Sequence, residues 1–130
     1  MSYSSESFIS ISWDEANQYI FFVGVGISPT EKVQAKLNEM LDLLKQKKAS
    51  KILLDIREIA LYSKNLETWI EQAWEPQAIA VGLKTQAFVL PENHFTRKML
   101  INAVRKSNNT ALKRAFFDSV EGAKEWLSTH

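Results

Sequence analysis

The order of apolar segments along the chain is the feature that most restricts its fold. From residue 28 onward, short apolar segments alternate with longer ones whose apolar residues recur every three or four positions. The short segments, KILLDI (51–56), TQAFVL (85–90) and ALKRAFF (111–117), are typical of strands. Strands separated by helices are joined by right-handed crossovers and pair in parallel. We therefore expect an α/β fold in which helices cover a mostly parallel sheet.

The N-terminal segment predicts an antiparallel hairpin that extends this sheet. FISISW (8–13) alternates strictly, with its isoleucines and tryptophan on one face, as in a half-exposed strand. Turn-forming residues follow in DEANQ (14–18), and YIFFVGVGI (19–27) is typical of a second strand. The predicted order is β-β-α-β-α-β-α-β-α, a mixed sheet of about five strands in a single domain (1–130) with its core at about 8–127.

The first helix is the most clearly marked. Ser28 is suited to the N-cap, Pro29 to the first helical position, and Glu31 completes an S-x-x-E capping box. The helix is predicted to run over about 28–47 and to end in cations that favour the negative end of its dipole. Its inward stripe consists of Val33, Leu37, Met40, Leu41 and Leu44.

Three further helices follow from similar patterns. The second spans about 63–74, where Pro76 is expected to interrupt it before a second helical piece that ends at Gly82. The third spans about 93–107, and a C-terminal helix begins with a D-x-x-E capping box at Asp118. Their inward stripes are Leu66, Trp69, Ile70 and Ala73; Phe95, Met99, Leu100, Ala103 and Val104; and Val120, Ala123, Trp126 and Leu127.

Two of the predicted strands contain residues that strands usually avoid. Gly24 and Gly26 lie on one face of the second strand, where either a helix packs closely or a cavity opens, and close helix packing is the favoured interpretation. Lys113 and Arg114 in the last strand suit an edge position, because charge there discourages pairing with other sheets.

Composition excludes several classes of function. With no cysteine among 130 residues, the chain has no disulfide, cysteine-ligated metal or thiol nucleophile. A net charge of +1 gives no sign of a nucleic-acid-binding surface. No apolar run approaches the roughly 20 residues of a membrane span, and the polar N-terminus lacks the features of a signal peptide. We therefore expect a cytoplasmic protein that has no membrane span and binds no nucleic acid.

The element order and several short motifs resemble the STAS domain, the fold of the sporulation anti-sigma-factor antagonists, and in particular the small bacterial SpoIIAA-like proteins. GIS (26–28) is similar to the G-x-[ST] that leaves the second strand, and LLDI (53–56) to the family's apolar strand with aspartate. FFDS (116–119), followed by Ala123 and WL (126–127), resembles the family's closing motif. The resemblance implies a SpoIIAA-like fold and a non-enzymatic regulatory module that binds a protein partner or forms a homodimer.

The phosphorylation switch of the antagonists does not carry over to this chain. Their motif of Asp-Ser-Ser-Gly type at the start of the second helix corresponds here to Ser63, Lys64, Asn65 and Leu66, so the phosphorylated serine is missing. Ser63 is a hydroxyl one position early, and it suits an N-cap better than a phosphorylation site. We expect partner contacts at this switch position and along the second helix from Ser63, Lys64, Asn65, Trp69 and Trp74.

An alternative function follows from the aromatic residues of the second helix. The STAS fold is similar to that of lipid-carrying CRAL-TRIO domains, which implies a carrier or sensor of a small apolar ligand. Trp74 either lines such a cavity or is exposed at a partner-binding face, where aromatic residues are enriched. The cavity would lie beneath the second helix, lined by Phe22, Leu66, Trp69, Trp74 and Ile79, with Gly24 and Gly26 as further lining positions.

Polar residues gather at the carboxyl edge of the predicted sheet, where loops of α/β proteins bind ligands. His94 and Arg97 are candidate contacts for an anion there, although helix capping and solvation also account for such residues. His94 lacks a paired nucleophile, and Gly24-Val25-Gly26 lacks the third glycine of a dinucleotide fingerprint. The sequence therefore predicts no catalytic residue, no metal site and no cofactor.

Overall fold

The computed structural model, which describes residues 8–26, 29–59, 63–107 and 110–130, contains a five-stranded sheet. The strands lie in the order β1-β2-β3-β4-β5, so neighbours in sequence are neighbours in space. β1 and β2 are antiparallel and the other pairs are parallel, which confirms the predicted mixed α/β fold. The strands are β1 (Phe8–Asp14), β2 (Tyr19–Gly26), β3 (Lys51–Ile59), β4 (Thr85–Val89) and β5 (Lys113–Phe117).

The helices fall in the predicted intervals between the strands. Their bounds are α1 (Thr30–Lys47), α2 (Lys64–Trp69), α3 (Glu75–Ala80), α4 (His94–Lys106) and α5 (Val120–Ser128). A π-helical turn, Ile70–Trp74, joins α2 to α3, so that residues 64–80 form one continuous helical segment, called here the helical segment 64–80. The predicted N-cap Ser28 lies outside the described residues.

The sheet has two unlike faces. Because strand order follows chain order, successive right-handed crossovers place α1, the helical segment 64–80 and α4 on the same face, called here the three-helix face. α5 alone covers the opposite face, called here the α5 face. β3 shows the division most clearly: Leu53 packs on the α5 face and its neighbour Leu54 on the three-helix face, as the strand period of two requires.

Pro76 does not interrupt the second helix, contrary to the prediction. Glu75 N–H donates to the carbonyl of Ile70, five residues earlier, so the turn before the proline is widened. Pro76 has no N–H to donate, and its ring would crowd an ordinary preceding turn. The side chain of Gln77 donates to the carbonyl of Ala73 at 2.9 Å. The widened turn therefore lets the helical segment continue through the proline as far as Ala80.

Three smaller predictions are wrong. Ser119, and not Asp118, caps α5 by accepting the N–H of Gly122 at 3.1 Å. Phe95 is 75% exposed, because it lies in the first turn of α4 and the buried contact of that helix comes at Leu100. β5 is an edge strand as expected, but the side chain of Arg114 is only 9% exposed and turns inward.

Candidate functional site

A cavity of about 170 Å³ lies between the three-helix face of the sheet and its helices. Its walls are almost entirely apolar. An engineered apolar cavity of about 150 Å³ in another protein binds benzene, so the space is large enough for one substituted ring or a short chain. The sheet contributes Phe22, Leu54 and Phe88, and the helices contribute Leu37, Leu66 and Leu100.

Trp74 forms part of the cavity wall. Its side chain is 2% exposed, and its Nε1 donates to the carbonyl of Leu37 at 2.8 Å, which joins the helical segment 64–80 to α1. The bond satisfies the one polar atom of the indole, as burial requires. A partner-binding role for Trp74 at an exposed face is therefore wrong for this structure, because no part of the ring is available at the surface.

The other predicted lining residues divide into two groups. Phe22 and Leu66 line the cavity, whereas Trp69 and Ile79 are partly buried and pack against the surrounding core. Gly24 and Gly26 are not among the lining residues. A Cβ at Gly24 would lie 3.3 Å from the ring of Phe22, so that ring fills the space where close helix packing was expected. Gly26 adopts φ of 76°, a conformation that favours glycine.

One end of the cavity is polar, a feature that the sequence analysis missed. Gln86 of β4 and Arg114 of β5 are register partners, so their side chains emerge side by side on the three-helix face. Glu75, which follows the π-helical turn, reaches toward them from above. Its Oε2 lies 3.6 Å from Arg114 Nη1, and that same nitrogen donates to the carbonyl of Val104 at 3.0 Å.

The polar end, defined here as Glu75, Gln86 and Arg114, is buried and incompletely hydrogen bonded. Burial raises the pKa of Glu75, a rise that Arg114 opposes and Glu71 reinforces. Glu75 Oε1, Gln86 Oε1 and Arg114 Nη2 have no hydrogen-bond partner within the parts of the chain that the structure describes. A signal was present in the sequence: Gln86 and Phe88 share one face of an otherwise apolar strand.

The switch position lies at the start of α2. Ser63 Oγ accepts the N–H of Leu66 at 3.0 Å, which confirms its role as N-cap, and it lies 3.2 Å from Thr30 Oγ1 at the start of α1. Lys64 and Asn65 are exposed on the first turn. These residues are therefore placed at the surface, whereas Leu66 directs its side chain into the cavity wall.

The candidate anion contacts are placed at the start of α4. Asn93 caps this helix by accepting the N–H of Thr96 at 3.0 Å. Arg97 Nη1 lies 2.6 Å from Asp118 Oδ1, so its charge is already paired with a carboxylate of the same chain. His94 is exposed as the first residue of the helix. Since Arg97 has this partner, the geometry gives little support to an anion site at this edge.

Two further classes of feature were searched for. Within residues 8–26, 29–59, 63–107 and 110–130, no cluster of three or more histidine, aspartate or glutamate side chains is arranged to hold a metal ion. None of the helices in that part of the chain combines the length and apolar character that crossing a membrane requires.

Comparison with known proteins agrees with the fold. The structure is similar to the crystal structure of an uncharacterised protein of the DUF3478 family with a SpoIIAA-like fold, from Shewanella loihica. The two chains are 20% identical over 93% of each, with a TM-score of 0.55. No protein-family model matches the sequence, and no curated protein matches it significantly. The predicted SpoIIAA-like fold is thereby confirmed.

Proposed function

We propose that this protein is a non-enzymatic carrier or sensor of a small apolar ligand, which it binds beneath the helical segment 64–80. The observation that supports the proposal is the cavity of about 170 Å³ with nearly all-apolar walls. Protein interiors are close-packed, and voids of this size are uncommon in them. By the cost per volume measured for cavity-forming mutations, an empty space of 170 Å³ costs on the order of 4 kcal/mol. An apolar occupant would recover much of that free energy.

The lining of the cavity argues for binding rather than catalysis. A reaction requires a nucleophile, a general base or an electrophilic group that converges on the bound molecule. The apolar walls offer dispersion contacts and exclude water, which suits retention of a ligand. The π-helical turn over the cavity contributes Ile70 and Trp74 to its lining, and such turns occur frequently at functional sites.

Filling the cavity tests the proposal. Ala103 of α4 lines the cavity, so Ala103→Phe would place a ring inside it. We expect native mass spectrometry of the wild-type protein to show a co-purifying apolar molecule, and small apolar compounds to raise its melting temperature. Ala103→Phe should lose both effects, because its ring occupies the binding space.

Ala35→Phe is the matched control, since Ala35 is exposed on α1 and its substitution leaves the cavity open. It should retain the bound mass and the thermal shift. A wild-type protein that carries no ligand and shows no thermal shift with any apolar compound would contradict the proposed function. Equal retention by Ala103→Phe would place the ligand elsewhere.

A second candidate function is partner binding through the exposed start of α2. The supporting observation is that Ser63, Lys64 and Asn65 lie together at the surface, where the resemblance to anti-sigma-factor antagonists locates their switch. Lys64→Glu reverses one exposed charge and should weaken self-association or partner capture, measured by light scattering and affinity capture, with no change in melting temperature. Unchanged association would count against this candidate, and Glu39→Lys on α1 is a control for the change of charge.

A further inference from the structure

The polar end of the cavity has hydrogen-bonding capacity that the described protein atoms do not use. Glu75 Oε1 and Gln86 Oε1 are acceptors without donors, and Arg114 Nη2 is a donor without an acceptor. Glu75 and Gln86 are 5% and 4% exposed, and the side chain of Arg114 is 9% exposed. Leaving a buried polar atom unpaired costs about 1–3 kcal/mol. Three such atoms at one end of an apolar cavity therefore mark a place where a ligand's polar group would stabilise the complex.

The charges at this end restrict the kind of group that fits. Glu75 and Arg114 form an ion pair, so together they are close to neutral, and Glu71 adds a further negative charge at the cavity lining. A carboxylate would be repelled by the two glutamates, while a protonated amine would bring a cation against Arg114. A hydroxyl group is neutral and both donates and accepts hydrogen bonds within one small atom.

We propose, on the basis of the proposed function, that the ligand is an apolar molecule carrying a single hydroxyl group, an alcohol or a phenol, with that hydroxyl at the polar end. It donates to the carboxylate of Glu75 or the amide oxygen of Gln86, and it accepts from the guanidinium of Arg114. The apolar body lies between Phe22, Leu54 and Phe88 of the sheet and the helices above.

Side-chain rotation admits the hydroxyl group. The three unpaired atoms are sealed from solvent, so a head group reaches them only when the surrounding side chains turn. The 3.6 Å separation between Glu75 and Arg114 is longer than a hydrogen bond, so inserting a hydroxyl between them breaks no short contact. Arg114 remains held by the carbonyl of Val104 through its other nitrogen, Nη1.

Matched aromatic probes separate this inference from the proposed function. Toluene, p-cresol and p-toluate share one apolar body and differ in having no polar group, a hydroxyl or a carboxylate. We expect isothermal titration calorimetry and amide chemical shifts to show that p-cresol binds about tenfold more tightly than toluene, because its hydroxyl satisfies buried groups that toluene leaves unpaired. p-Toluate should bind more weakly than p-cresol.

Two variants test whether the polar end causes the preference. Gln86→Leu removes one acceptor and leaves no charge unpaired, and Glu75→Leu with Arg114→Met removes the ion pair as a unit. Both should reduce the p-cresol preference toward one while toluene still binds. Thr85→Val, a change of similar size at a buried position of β4 outside the cavity lining, should keep the preference.

The outcomes are distinct. Equal binding of toluene and p-cresol to the wild-type protein, or tighter binding of p-toluate, would overturn the hydroxyl assignment and leave the proposed function standing. An unchanged p-cresol preference in Gln86→Leu and in the double variant would also overturn it. Failure of all three probes to bind would overturn the proposed function, and this inference with it.

Discussion

The two faces of the sheet solve the same packing problem differently. On the α5 face a single helix of nine residues packs against small and medium side chains, and Leu53, Ala87, Val89, Ala123 and Leu127 are all almost completely buried. On the three-helix face, larger side chains and three helical layers leave a cavity of about 170 Å³. The face with more apolar residues is therefore the one that is less completely filled.

The difference lies in how the covering helices are held. Ala87 and Ala123 allow α5 to approach the sheet closely. The helical segment 64–80 is instead anchored by two polar contacts, from Trp74 to the carbonyl of Leu37 and from Glu75 to Arg114. Between these anchors, the side chains of β3 and β4 do not fill the space. A helix held by specific contacts can thus leave room for a ligand that uniform apolar packing would exclude.

The largest expected effect compares two neighbours on β3 that face opposite ways. Leu53→Ala should lower the free energy of unfolding by about 4 kcal/mol, because Leu53 is enclosed on every side. Leu54→Ala should cost about 2.5 kcal/mol, since one side of Leu54 already borders the cavity and fewer contacts are lost. Urea denaturation of the two variants measures the difference directly.

Each variant is the control for the other, because the substitution, the strand and the neighbouring backbone are the same. Equal losses would show that the three-helix face is as tightly packed as the α5 face. A greater loss for Leu54→Ala would reverse the comparison. Saturation with p-cresol should narrow the gap further on the Leu54→Ala side, where the enlarged cavity accepts the ligand.

A smaller effect concerns the unpaired polar group on the α5 face. Tyr19 is 2% exposed and its hydroxyl has no hydrogen-bond partner among the described residues. Burial, reinforced by the charge of Asp14, raises its pKa to about 12 from an ordinary value of 10. The folded state therefore holds this proton more tightly than the unfolded state, so stability is lost as pH rises above 10. Between pH 9 and 11 the loss should be about 1.4 kcal/mol.

Tyr19→Phe removes the titrating group and should flatten that part of the pH dependence. Urea denaturation at pH 7, 9 and 11 compares the variant with the wild-type protein, and the pH 7 pair gives the contribution of the hydroxyl without ionisation. A parallel fall in both proteins above pH 10 would assign the alkaline loss to other groups. The result would also show whether an unpaired polar atom costs stability on the face that has no cavity.

Much of the fold was predictable because it depends on local patterns. The strict alternation of FISISW predicted the half-exposed β1, and the amphipathic stripes placed α1 and α5 with the correct inward residues. Ser63 was correctly predicted as an N-cap. Phe95 was misplaced because helical periodicity does not show where a helix extends past the sheet, and Pro76 because a single π-helical turn can accommodate a proline.

The site was less predictable because it combines residues from elements far apart in the sequence. Phe22 and Leu66 were assigned to a cavity, but Trp69 and Ile79, on the same predicted stripe, pack beside it. Arg114 was read as an edge charge, although its strand register with Gln86 and its contact with Glu75 bury it. Register and helix position are set by the whole chain, and neither can be read from the residues around Arg114.

The sequence by itself determined the element order, the mixed sheet and the absence of cysteine chemistry, since each depends on residue type and local period. Only the tertiary structure decided that Trp74 turns inward and that a cavity with one polar end remains beneath the helical segment 64–80. The physical reason is that a cavity is what the packing of several elements leaves unfilled. Its size and polarity depend on distances between helices and sheet, which local propensity does not specify.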